Sequence, residues 1–307
     1  MLSAADKDVI GLKFNTLAKQ NAKKALGNRW GGAIAVVLMI SAISLLFSIL
    51  ESMFTVFFGL PDFYEILACL LEGRDLPPAA IPSVIISGVF AVLGFLVLTP
   101  LKLGVTNWLY QLTGGQPREI SSLFFFFDSP CLFFKSLFLR LGIAVRMFFW
   151  AVLCLSPGVV FTGIGDYLAR PDASAADHAL AAAGITLGSI LLLLGFAALW
   201  ICSFRYFLAG YLLCADPDLG VGTVIRLSVR GTRGRLSKLA QFQLSFLGWY
   251  LLCLLVLPLL YVAPYTGASM AIYARYLIER DNLIPRQESP TGRIVDQDYI
   301  DLGPQPD

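Results

Sequence analysis

The sequence predicts an all-α membrane protein, a polytopic transmembrane helical bundle with about six membrane segments and amphipathic cytoplasmic helices. With 57% hydrophobic and only 14% charged residues among 307, a soluble fold would lack the polar surface to cover itself. Several segments contain no Asp, Glu, Lys or Arg, and their lengths match the roughly 20 residues that a helix needs to cross a bilayer. These segments are residues 31–50, 81–101, 147–165, 179–204 and 239–274.

Positive charges collect in alternate connections between these segments, which predicts the orientation of the chain. The basic residues of the three rich connections are Lys7, Lys13, Lys19, Lys23, Lys24 and Arg29, then Arg118, Lys135 and Arg140, then Arg226, Arg230, Arg233, Arg235 and Lys238. The other two connections carry one arginine each, Arg74 and Arg170, among several acidic residues. Because Lys and Arg are retained on the cytoplasmic side, we expect a cytoplasmic N-terminus and two external connections.

The last apolar segment is too long for a single span. Residues 239–274 as one helix would extend about 54 Å, whereas a hydrocarbon core is about 30 Å thick. Pro258 and Pro264 lack a backbone N–H, and we expect them to break the helix. The sequence therefore predicts a fifth span over residues 241–257 and a short sixth span over residues 264–278, with a five-span bundle as the alternative.

These patterns divide the chain into three parts. Residues 1–30 form a cytoplasmic amphipathic lead-in, and residues 31–279 form the transmembrane helical domain. Residues 280–307 are rich in Pro, Gly, Gln and Asp, which predicts a disordered cytoplasmic tail. The first apolar segment follows about thirty polar residues and exceeds the roughly 7–15 residues of a signal-peptide core, so we expect no cleaved signal.

Two cytoplasmic segments have the apolar spacing of amphipathic helices. The first covers residues 8–26, and two placements are equally consistent with it: flat in the headgroup region with its lysines on anionic lipid, or packed on the cytoplasmic ends of the spans. The second covers residues 224–230, with Asp216 or Asp218 as its N-cap and Gly231 as its end. Its arginines either bind phosphate headgroups or set the topology, and topology is the favoured interpretation.

Chemistry-bearing residues are sparse. One histidine, His178, cannot supply the three or four ligands of a zinc site, and we expect no metal, no cofactor and no enzyme activity. Arg146 is the main candidate inside a span, because a charge at membrane depth is costly. It could line a polar path or hold an anion, but a side chain that extends back to the cytoplasmic headgroups is the favoured interpretation.

Small and aromatic residues predict how the spans pack and where they end. Gly184 and Gly188 are four residues apart, as are Ala263, Gly267 and Ala271, and this spacing lets helices approach closely. The aromatic residues near predicted span ends fit an interfacial belt. They are Trp30, Trp108, Trp249, Tyr206 and Tyr211.

The most specific sequence pieces are Ser245–Phe246–Leu247–Gly248–Trp249 and the later Pro264–Tyr265. Together with the lysine pair Lys23–Lys24 and the turn Ser156–Pro157–Gly158, they resemble the bacterial integral membrane protein family of unknown function DUF975. The resemblance covers most of residues 15–277. It departs from the family pattern at residues 166–194, which add a polar loop and a full-length span, and at Ser237, where an aromatic residue is usual.

The resemblance implies a bacterial cytoplasmic (plasma) membrane location, but it brings no catalytic residue. The sequence thus predicts a non-enzymatic structural, lipid-interacting or protein-interacting membrane component. A small-molecule transporter or permease subunit is the alternative, with Arg146 and the proline-broken last segment as pathway elements. Expected partners are membrane lipids with anionic headgroups at the cytoplasmic face and other membrane proteins, not nucleic acid. The candidate headgroup or pathway residues are Arg146, Arg226, Arg230, Arg233 and Arg235.

Overall fold

The computed structural model describes residues 4–27, 29–115, 119–170, 174–255 and 258–284. These residues form α-helices and short 3-10 helices and no strand, so the predicted all-α class is confirmed. The predicted tail from residue 285 onward and Arg118 lie outside the described residues. Residues 281–284, which the sequence assigns to the tail, follow directly on the last helix.

The helices follow one another with short connections. They are α1 (Ala4–Leu26), α2 (Trp30–Phe57), α3 (Phe63–Leu71), α4 (Ala80–Thr113), α5 (Pro130–Leu168), α6 (Ala175–Ser203), α7 (Phe207–Ala215), α8 (Val221–Thr232), α9 (Leu236–Leu244), α10 (Leu247–Leu252) and α11 (Leu259–Arg280). Among the described residues, 3-10 helices lie between them at Ile120–Phe127, Phe204–Tyr206 and Cys253–Leu255.

Within the described part of the chain, four helical segments are long and apolar enough to cross a membrane. They are α2, α4, α5 and the continuous run Ala175–Ala215. These segments coincide with the first four predicted spans. The predicted count of about six is not confirmed, because the fifth predicted span is divided among α9, α10 and a 3-10 helix, none longer than nine residues.

In the last apolar segment, only one of the two prolines lies at a helix boundary, whereas the sequence predicts a break at both. Pro258 does precede a new helix, α11. Pro264, however, lies inside the 22-residue α11, and the helix continues through it. A proline inside a helix removes one hydrogen bond donor and crowds the preceding turn, which can kink the helix without ending it. Pro264 therefore does not begin a separate segment, and the expected break there is wrong.

The chain forms two compact units. The first comprises the described residues of 1–137 and 249–273, and its spans α2 and α4 are antiparallel. The end of α2 meets the start of α4, where Phe54 and Phe90 have ring centroids 5.4 Å apart. At the other end, a Cβ built on Gly32 would lie 3.8 Å from the Trp108 ring, so the start of α2 adjoins the end of α4.

The phenylalanine-rich 3-10 helix Ile120–Phe127 packs on α4 in this first unit. Leu123 and Phe126 are fully buried, and the carbonyl of Leu123 approaches Gly104 so closely that a Cβ there would overlap it. Phe124 and Phe127 stay exposed. Leu123 and Phe126 thus hold the segment on α4, and Phe124 and Phe127 face outward.

The second unit comprises residues 138–248 and the described residues of 274–288. Its helices α5 and α6 approach closely at glycines, as the spacing of Gly184 and Gly188 predicts. A Cβ built on Gly184 would lie 3.3 Å from the Cα of Gly165, and one built on Gly188 would lie 2.6 Å from the backbone nitrogen of Thr162. Elsewhere along both helices large apolar side chains such as Leu193 are exposed, as a lipid-facing surface requires.

Candidate functional site

Helix α8 places its basic and apolar residues on opposite sides. Val224 and Ile225 are buried on one side, and Ser228 is buried beside them. The Ser228 hydroxyl donates to the backbone carbonyl of Arg205 at 2.9 Å, which fixes α8 against the end of the fourth span. Arg226 and Arg230 are one helical turn apart and exposed on the other side.

Arg226, Arg230 and Arg233 form what we call the basic surface. All three side chains are exposed, and none of them makes an ion pair with a residue that the structure describes. Arg226 has a single long hydrogen bond, from Nη2 to the hydroxyl of Thr223 at 3.4 Å. An exposed guanidinium keeps its fork of N–H donors available, and this fork matches the oxygens of a phosphate.

Arg235 differs from the other three predicted arginines. Its Nη1 donates to Oδ2 of Asp281 at 2.6 Å and its Nη2 donates to Oδ1 at 3.1 Å, a bidentate pair. Both side chains are only 24% exposed. The pair ties the start of α9 to the end of α11, so the guanidinium of Arg235 serves the fold and is not presented to a ligand.

Sequence reasoning missed Asp281 because it assigned this residue to the disordered tail. Asp281 carries no spacing signal that relates it to Arg235, which is 46 residues away. The nearest hint is that an acidic residue follows Arg280, the last residue of α11. That pattern alone does not identify a partner.

Arg146 is exposed on α5, and its guanidinium turns back along its own helix. Nη1 donates to the carbonyl of Gly142 at 2.8 Å, one turn toward the helix N-terminus. This direction is the one that the favoured interpretation requires, because the N-terminal end of α5 is its cytoplasmic end in the predicted topology. The guanidinium of Arg146 lies near α8, because a Cβ built on Gly142 would lie 3.4 Å from Nη1 of Arg146 and 3.2 Å from Cδ1 of Ile225.

The ends of α8 differ from those that the sequence predicts. The helix begins after Gly220, without a side-chain cap; the Asp216 carboxylate instead accepts a hydrogen bond from the backbone N–H of Asp218. Gly231 lies inside the helix. A Cβ on Gly231 would lie 2.7 Å from Leu283 and 2.9 Å from Leu208, so this glycine permits close packing and does not terminate the helix.

The lead-in helix α1 packs against the candidate span α4. Ala18, Ala22 and Leu26 are completely buried. Burial also lowers the pKa of Lys19, because it disfavours the charged ammonium. Lys23 and Lys24 remain exposed on the opposite side.

No group of three His, Cys, Asp or Glu side chains that could hold a metal ion occurs in the described ranges. His178 lies in the first turn of α6, next to a capping box in which the Ser174 hydroxyl accepts from the N–H of Asp177. The acidic residue beside the histidine is therefore a helix cap.

A model of the family described as "Protein of unknown function (DUF975)" matches residues 15–281. The matched range begins in α1 and ends at the residue that pairs with Arg235. Neither a curated protein nor a solved structure matches the chain.

Proposed function

The chain belongs to the DUF975 family of proteins of unknown function, and from this premise we propose that it is a non-enzymatic, lipid-interacting integral component of a bacterial cytoplasmic membrane. Its N-terminus is cytoplasmic, and its basic surface binds the phosphate groups of anionic lipids. The observation that carries this proposal is the exposure of Arg226, Arg230 and Arg233 without an acidic partner among the described residues.

Position supports headgroup binding. The fourth candidate span ends at Ala215, and α8 begins at Val221, so the basic surface follows the span after only a short connection. A basic residue close to an anionic leaflet gains about 1 kcal/mol, and three together gain roughly 3 kcal/mol. The attraction fades within a Debye length of about 8 Å, which makes closeness to the membrane decisive.

Positive charge in this connection also directs insertion of the spans, and the two roles are compatible. Insertion requires only the charges, whereas headgroup binding requires accessible guanidinium groups after folding. Arg235 meets the first requirement but is held by Asp281, while the three exposed arginines meet both. This difference within one connection favours headgroup binding at the basic surface over a purely topological role.

Transport is the less favoured alternative. A pathway residue would direct its charge into the bundle, whereas Arg146 is exposed and hydrogen-bonds to the carbonyl of Gly142 on its own helix. That geometry is the one expected of a side chain that reaches toward the headgroups.

Native mass spectrometry of the full chain, purified with phosphatidylglycerol and phosphatidylcholine, tests the proposal. We expect the triple variant Arg226→Gln/Arg230→Gln/Arg233→Gln to retain fewer phosphatidylglycerol molecules than the wild type and the same number of phosphatidylcholine molecules. The matched control is Arg74→Gln, which removes an exposed arginine from a connection on the predicted external side. Equal phosphatidylglycerol retention by the triple variant, the control and the wild type would refute headgroup binding.

A further inference from the structure

In the proposed four-span placement, the described helices after the fourth span begin on one face of the membrane. Four spans bring the chain back to the face from which α2 starts, so α8 and the start of α9 lie on that face, which is cytoplasmic in the proposed orientation. A contact between a later helix and the end of a span, where both lie in the same compact unit, then shows at which membrane face that helix lies.

The start of α11 lies at the cytoplasmic end of α2. The rings of Tyr261 and Trp30 are stacked with centroids 4.4 Å apart and planes 9° apart, and Trp30 is the first residue of α2. Trp249 of α10 joins this cluster, 5.9 Å from Tyr261 and 6.0 Å from Tyr265. Since α2 begins at Trp30, Trp249 of α10 and Tyr261 of α11 are held at the same membrane face.

The middle of α11 also contacts an element at that face. A Cβ on Gly267 would lie 2.7 Å from Leu109, which is in the last turns of α4, where that helix returns to the cytoplasmic side. In the second unit, Asp281 after the end of α11 pairs with Arg235, which precedes α9. Although α11 is long enough to span a bilayer, residues near its start and its middle contact the ends of α2 and α4 at one face of the first unit.

The chain between these contacts is apolar, and the described residues 249–255 form a path that is too short to cross a bilayer. Its exposed side chains, which we call the apolar wedge, are Trp249, Tyr250, Leu251, Leu252, Leu255 and Leu259. Leu251 is 63% exposed and Leu255 is 69% exposed, and residues 239–274 contain no charge. The path from Trp249 to Leu255 rises about 10 Å in helical conformation, against a hydrocarbon core of about 30 Å.

We propose that the apolar wedge inserts into the acyl chains of the cytoplasmic leaflet without crossing the membrane, and that α11 lies along the cytoplasmic face. The partner is lipid because the wedge continues from the aromatic cluster at Trp30, where the lipid-facing surface of α2 begins. A surface made of six exposed, uncharged side chains would be unfavourable in water. The wedge and α11 replace the predicted fifth and sixth spans. This inference rests on the proposed four-span placement but not on headgroup binding.

Depth-dependent fluorescence quenching of the full chain in phospholipid vesicles tests the inference. Leu251→Cys and the mid-span control Val92→Cys, in a background with the native cysteines changed to Ala, are labelled with bimane. Vesicles contain lipid with a nitroxide either near the headgroup or near the end of the acyl chain. We expect Leu251→Cys to lose more fluorescence to the shallow nitroxide and Val92→Cys to lose more to the deep one. Deep quenching at Leu251, or no quenching there, would overturn the inference.

A second measurement retains the native cysteines. Leu259→Cys and Asp75→Cys are treated in intact cells with a membrane-impermeant maleimide, and modified peptides are mapped by mass. A six-span bundle would put Leu259 in an external loop, as exposed as Asp75. We expect Asp75→Cys to react and Leu259→Cys not to react; reaction at both positions would overturn the inference. If Asp75→Cys itself fails to react, the four-span placement fails, and the inference fails with it.

Discussion

At the residue scale, the role of each arginine depends on whether it forms an ion pair with a carboxylate and on how exposed that pair is. Arg235 and Asp281 form a bidentate pair that is 24% exposed on both sides, whereas Arg74 and Glu72 approach to the same 2.6 Å with side chains 61% and 59% exposed. An exposed pair gains little, because water already solvates both charges. Removing one partner of a partly buried pair lowers the free energy of unfolding more, because the other charge stays desolvated.

Substitution Asp281→Asn should therefore destabilise the protein. Arg235 would keep its place without its carboxylate, at a cost of about 1–3 kcal/mol. Thermal unfolding of the purified chain in detergent should show a lower midpoint for Asp281→Asn. Glu72→Gln, which breaks the exposed pair at the same distance, is the matched control and should leave the midpoint nearly unchanged. Equal midpoints for the two variants would contradict a structural role for the Arg235 pair.

Sequence alone could place the four arginines of residues 226–235 in one basic connection, but it could not separate them. Their common positive charge predicts the topology, and this charge can be read from the sequence. Their difference arises from Asp281, which becomes a neighbour of Arg235 only after α11 has folded back. Gly231 shows the same limit: glycine after a basic turn resembles a helix stop, yet here Leu208 and Leu283 occupy the space that a side chain would need.

At the scale of elements, α5 and α6 associate through small residues. Lipid chains are as apolar as leucine, so burial of apolar area gives these helices little reason to associate, and close van der Waals contact must supply the attraction. The glycine spacing in α6 made this contact predictable from the sequence. The partner residues Gly158, Thr162 and Gly165 on α5 follow a similar spacing, but only the structure shows that they face Gly188 and Gly184.

Substitution Gly188→Ala should weaken this helix pair. The added Cβ would lie 2.6 Å from the backbone nitrogen and from Cγ2 of Thr162, so the helices must separate, at a cost of about 1–3 kcal/mol for overpacking. Gly163→Ala on α5 is the control, since apart from its chain neighbours and the backbone of its own helix no heavy atom lies within 4 Å of the added carbon. Thermal unfolding should show a lower midpoint for Gly188→Ala only. A lower midpoint for Gly163→Ala as well would mean that glycine matters there for reasons other than the contact.

The C-terminal helices were less predictable than the first four spans. Length and absence of charge predict a candidate span when a helix is continuous, and α2, α4, α5 and the run Ala175–Ala215 are long and apolar enough to cross a membrane. Residues 239–274 have the same composition, but their helices are interrupted after Leu244 and after Leu252. Hydropathy does not distinguish a broken apolar segment from a continuous one, because the distinction lies in backbone hydrogen bonding.

At the scale of the whole molecule, the charge pattern and the number of candidate spans give one consistent topology. In the proposed topology, four spans put the lead-in helix, the connection between α4 and α5, and the connection after α7 on the same face, and these are the three segments rich in Lys and Arg. The two poor connections fall on the opposite face. The central claim is thus a four-span bundle with one basic, cytoplasmic face that contacts anionic lipid.

Labelling of single introduced cysteines with a membrane-impermeant maleimide, before and after permeabilisation of the cells, tests this claim most directly. The variants replace exposed, uncharged or acidic residues in the connections, so they add no positive charge and remove none: Gln20→Cys, Asp75→Cys, Ser121→Cys, Ala169→Cys and Ser237→Cys. We predict that Asp75→Cys and Ala169→Cys react in intact cells, and that the other three react only after permeabilisation. Reaction of Gln20→Cys, Ser121→Cys or Ser237→Cys in intact cells would contradict the four-span, basic-face-inside topology.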